Sequence, residues 1–101
     1  MKEPTLGNPQ NTIAVLQKYN FVFQKKFGQN FLIDTHVLDK IIGSAEITKD
    51  DFVLEIGPGI GTMTQYLACA AGKVAAVGID KALIPILEDT LDGYDNVQVI
   101  K

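Results

Sequence analysis

The chain has 101 residues, a net charge of −3 and a hydrophobic fraction of 47%. A chain of this size and composition is expected to form one small soluble domain. No apolar run is long enough to span a bilayer, and the amino terminus lacks the apolar core of a signal peptide. The single cysteine, Cys69, excludes an intramolecular disulfide framework and favours a cytoplasmic setting. No pair of His or Cys residues has metal-ligand spacing, so no metal site is expected.

The first third of the chain predicts two helices. Residues 1–11 contain two prolines, a glycine and little apolar material, which predicts a flexible lead-in. Thr12 can cap a short helix that ends near Asn20. Asp34 is a good N-cap for a second helix, which runs to about Ala45. The apolar face of this second helix is expected to comprise Val37, Leu38, Ile41 and Ile42.

A buried strand followed by a glycine turn dominates the middle of the chain. Phe52–Ile56 is apolar except at one position and has the length of a strand. Gly57, Gly59 and Gly61 then permit tight turning and leave no Cβ in the way of a ligand. A helical pattern begins at Thr62, and Gly72 is expected to end it. The apolar residues of this pattern are Met63, Tyr66, Leu67, Ala70 and Ala71.

The last third predicts strand, helix and strand. Lys73–Ile79 reads as a second buried strand, Asp80 as the cap of a helix over residues 81–91, and residues 97–100 as a third strand. Pro85 removes one backbone hydrogen bond, so this helix is expected to begin loosely or to kink. The alternation of strands and helices predicts an α/β fold with a parallel sheet and right-handed crossovers.

The glycine turn is the main indication of function. Doubly wound α/β folds bind nucleotides where the carboxyl end of a strand meets the amino end of a helix. A dinucleotide-binding oxidoreductase would need its third glycine one residue later than Gly61, so this interpretation is the weaker one. With Glu55 the turn reads E-x-G-x-G-x-G, which is similar to the first motif of S-adenosylmethionine-dependent methyltransferases. A tight turn that needs glycine only for its backbone is the structural alternative.

A short segment near the amino terminus combines basic and aromatic residues. Such a pattern can follow a nucleic-acid backbone and stack on bases, although the net charge argues against a whole-surface nucleic-acid binder. The alternative is that the aromatic residues anchor the segment on the domain while the lysines remain solvated. The basic residues are Lys18, Lys25 and Lys26, and the aromatic ones are Tyr19, Phe21, Phe23 and Phe27.

Two motifs in order resemble one family. They are F-G-Q-N-F-L-I-D at residues 27–34 and E-I-G-P-G-I-G-T-M-T at residues 55–64, followed by I-D at residues 79–80. This combination resembles the ribosomal RNA adenine N6-dimethyltransferases, whose relatives include the erythromycin-resistance methylases. The bacterial small-subunit enzymes are the nearest match. The resemblance covers residues 12–101 and less than half of such an enzyme. It implies a partial Rossmann-like methyltransferase fold with about three parallel strands and flanking helices.

The resemblance also implies site residues. The segment at residues 29–32 would close over S-adenosylmethionine, the glycines would lie beneath it, and Glu55 would hold the turn or approach the cofactor's amino group through water. A carboxylate at the end of the second strand grips the ribose in this family, but here Gly78 occupies that position, so weaker cofactor binding is expected. The implied cofactor-binding residues are Gln29, Asn30, Leu32, Glu55, Gly57, Gly59, Gly61 and Gly78. The implied RNA-facing residues are Lys18, Lys25 and Lys26.

The implied activity is methyl transfer from S-adenosylmethionine to adenines of small-subunit ribosomal RNA. The family's Asn-Leu-Pro-Tyr motif, which orients the target base, lies beyond Lys101, so no catalytic residue is assigned and this chain by itself is expected to be inactive. The implied partner is small-subunit ribosomal RNA or a pre-subunit. The alternative is a non-enzymatic folding fragment, whose open sheet pairs with another copy.

Overall fold

The computed structural model describes residues 3–20 and 34–101. The predicted α/β class is confirmed, and a 3₁₀ turn, Lys81–Leu83, precedes the last described helix. The helices are α1 (Pro9–Lys18), α2 (Thr35–Ser44), α3 (Thr62–Ala70) and α4 (Ile84–Thr90), and the strands are β1 (Phe52–Ile56), β2 (Lys73–Val77) and β3 (Val97–Ile100).

The three strands form a parallel sheet in the order β1-β2-β3. In this register Val53 lies beside Val74, and Val74 lies beside Val97. Both crossovers run in the same direction across the sheet, so right-handed connections place α3 and α4 on the same face. We call this the covered face.

The covered face holds an apolar core. Val74 is fully buried against Leu67 and Ala68 of α3 and against Tyr94, and Val53 packs at the edge of this cluster. Helix α3 also buries Thr62, Thr64 and Gln65, while the predicted apolar residues Met63, Tyr66 and Ala70 are only partly buried. The apolar face predicted for α3 is therefore only partly correct, because the side chains of Thr64 and Gln65 find hydrogen-bond partners in the interior.

The opposite face carries a row of exposed apolar side chains. Phe52, Leu54 and Ile56 alternate along β1 and are 62%, 58% and 61% exposed. Ile100, which shares their face through Val77, is 40% exposed. Strands of parallel sheets are usually buried on both sides. We call this surface, formed by Phe52, Leu54, Ile56 and Ile100, the bare face.

The amino-terminal residues differ from the prediction. Helix α1 begins at Pro9 because Asn8, not Thr12, caps it, with the Asn8 side chain accepting the Gln10 N–H at 2.9 Å. Thr12 is fully buried and donates its hydroxyl to the carbonyl of Leu6 at 3.2 Å. Leu6 is itself only 2% exposed. Residues 3–11 therefore include a buried apolar anchor, Leu6, and a proline at the first helical turn. The flexible lead-in over residues 1–11 stays a prediction.

The other predicted helix starts agree with the structure. Asp34 accepts the N–H of His36 at 2.8 Å, and Asp80 accepts the N–H of Ala82 at 2.9 Å. Pro85 lies in the first turn of α4, where its missing N–H removes no helical hydrogen bond. Instead of a loose start, the ordered 3₁₀ turn capped by Asp80 precedes this helix. On α2 only Leu38 of the predicted apolar face is fully buried.

Candidate functional site

The glycine turn has the backbone shape that its sequence predicts. Gly57, Gly59 and Gly61 have φ angles of 68°, 61° and 96°, a region that other residues rarely adopt. A Cβ on Gly57 would meet nothing within 4 Å, whereas a Cβ on Gly61 would lie 2.8 Å from the hydroxyl of Thr90. Gly57 therefore leaves room for a ligand, and Gly61 leaves room for the end of α4.

A cavity of about 300 Å³ lies where this turn meets the end of β2. Parallel α/β sheets bind ligands at the carboxyl ends of their strands. The Gly57 N–H donates to the Val77 carbonyl at 3.0 Å, which fixes the turn against β2. The lining residues are Gly57, Pro58, Gly59, Gly78, Ile79, Asp80, Leu83 and Leu87.

Glu55 lies on the covered face and ties β1 to α3. The hydroxyl of Thr64, in the first turn of α3, donates to the Glu55 carboxylate. Burial raises the pKa of Glu55 above its usual value, and the hydrogen bond from Thr64 opposes this rise. This contact supports the expectation that Glu55 holds the turn, although Glu55 does not line the cavity.

The end of β2 presents no acidic side chain at the position where a ribose carboxylate is expected. The φ angle of Gly78 lies outside the left-handed region, so its backbone does not require glycine. A Cβ built there would come within 2.6 Å of the Cδ1 atom of Ile84. Ile84 therefore fills the space next to Gly78, and a larger residue at this position would have to displace the tip of a flexible side chain.

Five of the predicted site residues lie outside the described part of the chain. Lys18 lies within it, and its Nζ is 2.7 Å from the Asp89 Oδ2 atom on α4. The Tyr19 hydroxyl donates to the same oxygen at 2.7 Å, so this aromatic residue anchors α1 on the domain. Lys18 thus forms an ion pair with Asp89. The predicted residues outside the described part are Lys25, Lys26, Gln29, Asn30 and Leu32.

The sequence patterns missed two kinds of site residue. Leu83 and Leu87 line the cavity, and their spacing of four could have indicated a helix face directed at the end of β2. Gln65 and Thr90 are buried polar residues that contact the turn and its surroundings. No local pattern marks them, because their partners are distant in sequence.

Two solved structures show which class of protein this fold and site define. The 23S rRNA methyltransferase ErmE is 39% identical with a TM-score of 0.64, over 70% of this chain and 29% of that chain. A dimethyladenosine transferase from Plasmodium falciparum is 42% identical with a TM-score of 0.58, over 63% of this chain and 24% of that chain. The chain therefore has the α/β fold of the S-adenosylmethionine-dependent methyltransferases.

Sequence comparisons show the family to which the chain belongs. The family model described as ribosomal RNA adenine dimethylase matches residues 20–101, and the chain belongs to this family. Similar relatives include the ribosomal RNA small subunit methyltransferase A of Lachnoclostridium phytofermentans, 75% identical over 96 residues, and that of Listeria innocua, 53% identical over 95 residues. Each alignment covers 94% of this chain, and 33% and 32% of the respective relative. The chain thus spans about a third of the length of these relatives.

The site suits S-adenosylmethionine at the turn but presents no carboxylate for the ribose at Gly78. The open space at Gly57 and the adjoining cavity can accept an adenosine-sized group, whereas Gly78 offers no side chain to the ribose hydroxyls.

Within residues 3–20 and 34–101, no helix is long and apolar enough to cross a bilayer. In the same ranges, no group of three or more His, Cys, Asp or Glu is arranged to hold a metal ion.

Proposed function

We propose that this chain is the cofactor-binding part of a cytoplasmic enzyme that transfers methyl groups from S-adenosylmethionine to adenines of small-subunit ribosomal RNA. The observation that carries the proposal is the cavity between the Gly57–Gly59 turn and the end of β2, at the ligand-binding edge of a parallel sheet. The names of the relatives support the substrate class.

The residues of this chain would bind and orient the cofactor. Gly57 and Gly59 allow the backbone to approach it closely, and Glu55 keeps the turn attached to α3 through Thr64. The predicted contacts of Gln29, Asn30 and Leu32 would complete its enclosure. When bound, the cofactor supplies a methyl group on a positively charged sulfur. Positioning of this group against the target nitrogen is the main contribution that such a site makes to the rate.

Ribosomal RNA is the proposed partner. Lys18, Lys25 and Lys26 would contact its phosphates, in line with the general role of lysine in nucleic-acid binding. Lys18 is paired with Asp89, and its side chain is 63% exposed. It would therefore reach a phosphate only by giving up or sharing this partner.

The test is a calorimetric titration of S-adenosylmethionine into this chain and into Gly78→Glu. Two charge-assisted hydrogen bonds to the ribose contribute about 1.5–3 kcal/mol each, so even one of them predicts an affinity about 10- to 100-fold higher for the glutamate variant. Ile84 must change its rotamer to make room for the new side chain.

Two further variants separate charge from packing. Gly78→Gln has the same shape without the charge and should recover little affinity, and Gly78→Ala reports the effect of displacing Ile84 alone. Circular dichroism would show that each variant is folded. If the folded chain and all three variants fail to bind S-adenosylmethionine, this part of the chain does not form a cofactor site.

The bare face favours a second candidate function, self-association. Phe52, Leu54 and Ile56 form an apolar row on β1, which is an edge strand of the sheet that the described residues form. Monomeric proteins rarely expose contiguous apolar patches of this kind, and an unpaired edge strand is a template for another strand. A second copy offers the same apolar row, so a symmetric pair would cover both.

Sedimentation velocity over a range of concentrations tests self-association. We expect the hydrodynamic radius to rise with concentration, and Leu54→Lys to abolish the rise. Val37→Lys is the matched control, because Val37 is 50% exposed on α2 rather than on the sheet. A chain that remains monomeric at every concentration contradicts this second candidate.

A further inference from the structure

A buried amide joins three segments behind the glycine turn. The side chain of Gln65, on α3, is completely buried. Its Oε1 atom accepts the backbone N–H groups of Thr5 and Leu6, both at 2.9 Å. Its Nε2 atom donates to the carbonyl of Thr90, at the end of α4, at 2.8 Å. Gln65 therefore connects the amino-terminal arm, residues 3–8, to both helices of the covered face.

Thr90 continues this connection into the turn. Its hydroxyl donates to the carbonyl of Ile60 at 2.7 Å, and Thr90 is only 5% exposed. The N–H of the same peptide unit, that of Gly61, donates to the carbonyl of Pro58 at 3.0 Å. The Ile60–Gly61 peptide is thus held from both sides.

This peptide needs such a restraint. Gly61 has a φ of 96°, and glycine passes between backbone conformations more easily than other residues. Without the Thr90 hydroxyl, the buried Ile60 carbonyl would lack this donor and would gain by rotating towards another partner. A rotated peptide would change the direction of the turn that faces the cavity.

Apolar side chains connect the same segments as these hydrogen bonds. Ile60 is 1% exposed and lies in one apolar cluster with Leu6, Leu83 and Ile86. Leu6 belongs to the arm, and Leu83 lines the cavity. The arm is therefore in contact with the turn through side chains as well as through Gln65.

We propose that Gln65 and Thr90 are positioning residues that couple the amino-terminal arm to the glycine turn, so that the shape of the cofactor site depends on how the arm is docked. The consequence for cofactor binding rests on the proposed function. The coupling itself is a property of the turn and can be measured without a ligand.

The test measures amide hydrogen exchange by NMR in Thr90→Val, which removes the hydroxyl and keeps the shape. We expect the exchange rate of the Gly61 amide to increase at least tenfold relative to that of Ala76 in β2, which reports unfolding of the sheet. Thr90→Ser should restore the ratio of the parent chain, because serine keeps the hydroxyl.

Asn96→Ala is the matched structural control. The Asn96 side chain donates to the carbonyl of Ala68 at 2.8 Å, at the far end of α3 from the turn. This variant should accelerate exchange at Ala76 and at Gly61 by similar factors. If Thr90→Val behaves in the same way, Thr90 only stabilises the fold and the proposal is overturned.

A change in the arm provides a second, milder variant. Thr5→Pro removes the N–H that donates to Gln65 Oε1 and the hydroxyl that accepts from Gln65 Nε2 at 3.1 Å, and it leaves the core side chains intact. We expect the amide NMR resonances of Gly61 and Thr62 to shift, although both residues are distant from Thr5 in the sequence. Unchanged resonances would contradict the coupling. Titration with S-adenosylmethionine then separates the coupling from the proposed function. If the turn responds to these variants but the chain does not bind S-adenosylmethionine, only the proposed function is rejected.

Discussion

The two faces of the sheet have similar residues and different surroundings. Along β1, Val53 packs against the cluster under α3, whereas its neighbours Phe52 and Leu54 point to the bare face and are mostly exposed. Apart from Glu55, the strand carries apolar side chains on both of its faces, as expected for a strand that is buried on two sides. The comparison shows that the apolar pattern of β1 suits it to contacts on both of its faces. The described helices make these contacts on the covered face only.

The largest expected difference between the faces is in stability. Leu67→Ala removes a side chain that is 6% exposed in the cluster of the covered face, and should lower the free energy of unfolding by about 2–5 kcal/mol. Leu54→Ala makes the same truncation on the bare face, and should lower it by about 1 kcal/mol or less because Leu54 is already 58% exposed. Urea denaturation, monitored by circular dichroism, measures both values.

These measurements should be made at low concentration, where association of the bare face contributes least. A loss for Leu54→Ala as large as that for Leu67→Ala would mean that the bare face is covered in solution. In that case the loss for Leu54→Ala should shrink on dilution, while that for Leu67→Ala should not.

A smaller effect concerns the charged residue of β1 on the covered face. Burial raises the pKa of Glu55, so the folded chain favours the protonated carboxyl more than the unfolded chain does. The stability that this group contributes is fully present below its ordinary pKa of 4.5 and is lost as the pH rises through the raised value. Glu55→Gln should therefore match the parent chain in acid and be more stable than it at neutral pH. Thermal unfolding over this pH range measures the difference.

Thr64→Val is the companion variant. It removes the hydrogen bond that opposes the rise in the pKa of Glu55, so the pKa of this carboxyl should rise further. The pH-dependent loss of stability should still begin near the ordinary pKa, but it should extend to a higher pH and become larger. A difference between Glu55→Gln and the parent chain that does not vary with pH would show that the Glu55 carboxyl titrates normally in the folded chain.

The elements that the sequence predicted well are those with local causes. The caps at Asp34 and Asp80, strand β1 and the helix that starts at Thr62 were all predicted, because a capping side chain or a short apolar run acts within a few residues. For α1 the sequence predicts Thr12 as the cap, but the helix is capped by Asn8, since the hydroxyl of Thr12 turns inward to the Leu6 carbonyl.

The site shows the same division. The sequence by itself determined the glycine turn, because left-handed φ angles at three alternate positions can be met only by glycine at little cost. It also determined the family, because each of the two motifs, at residues 27–34 and 55–64, is a continuous stretch of the chain. Only the tertiary structure decided that Ile84 fills the space beside Gly78, that Thr90 holds the Ile60 carbonyl, and that the described helices cover only one face of the sheet. These contacts join residues that are distant in sequence, and their partners are chosen by how the helices pack on the sheet rather than by any local pattern.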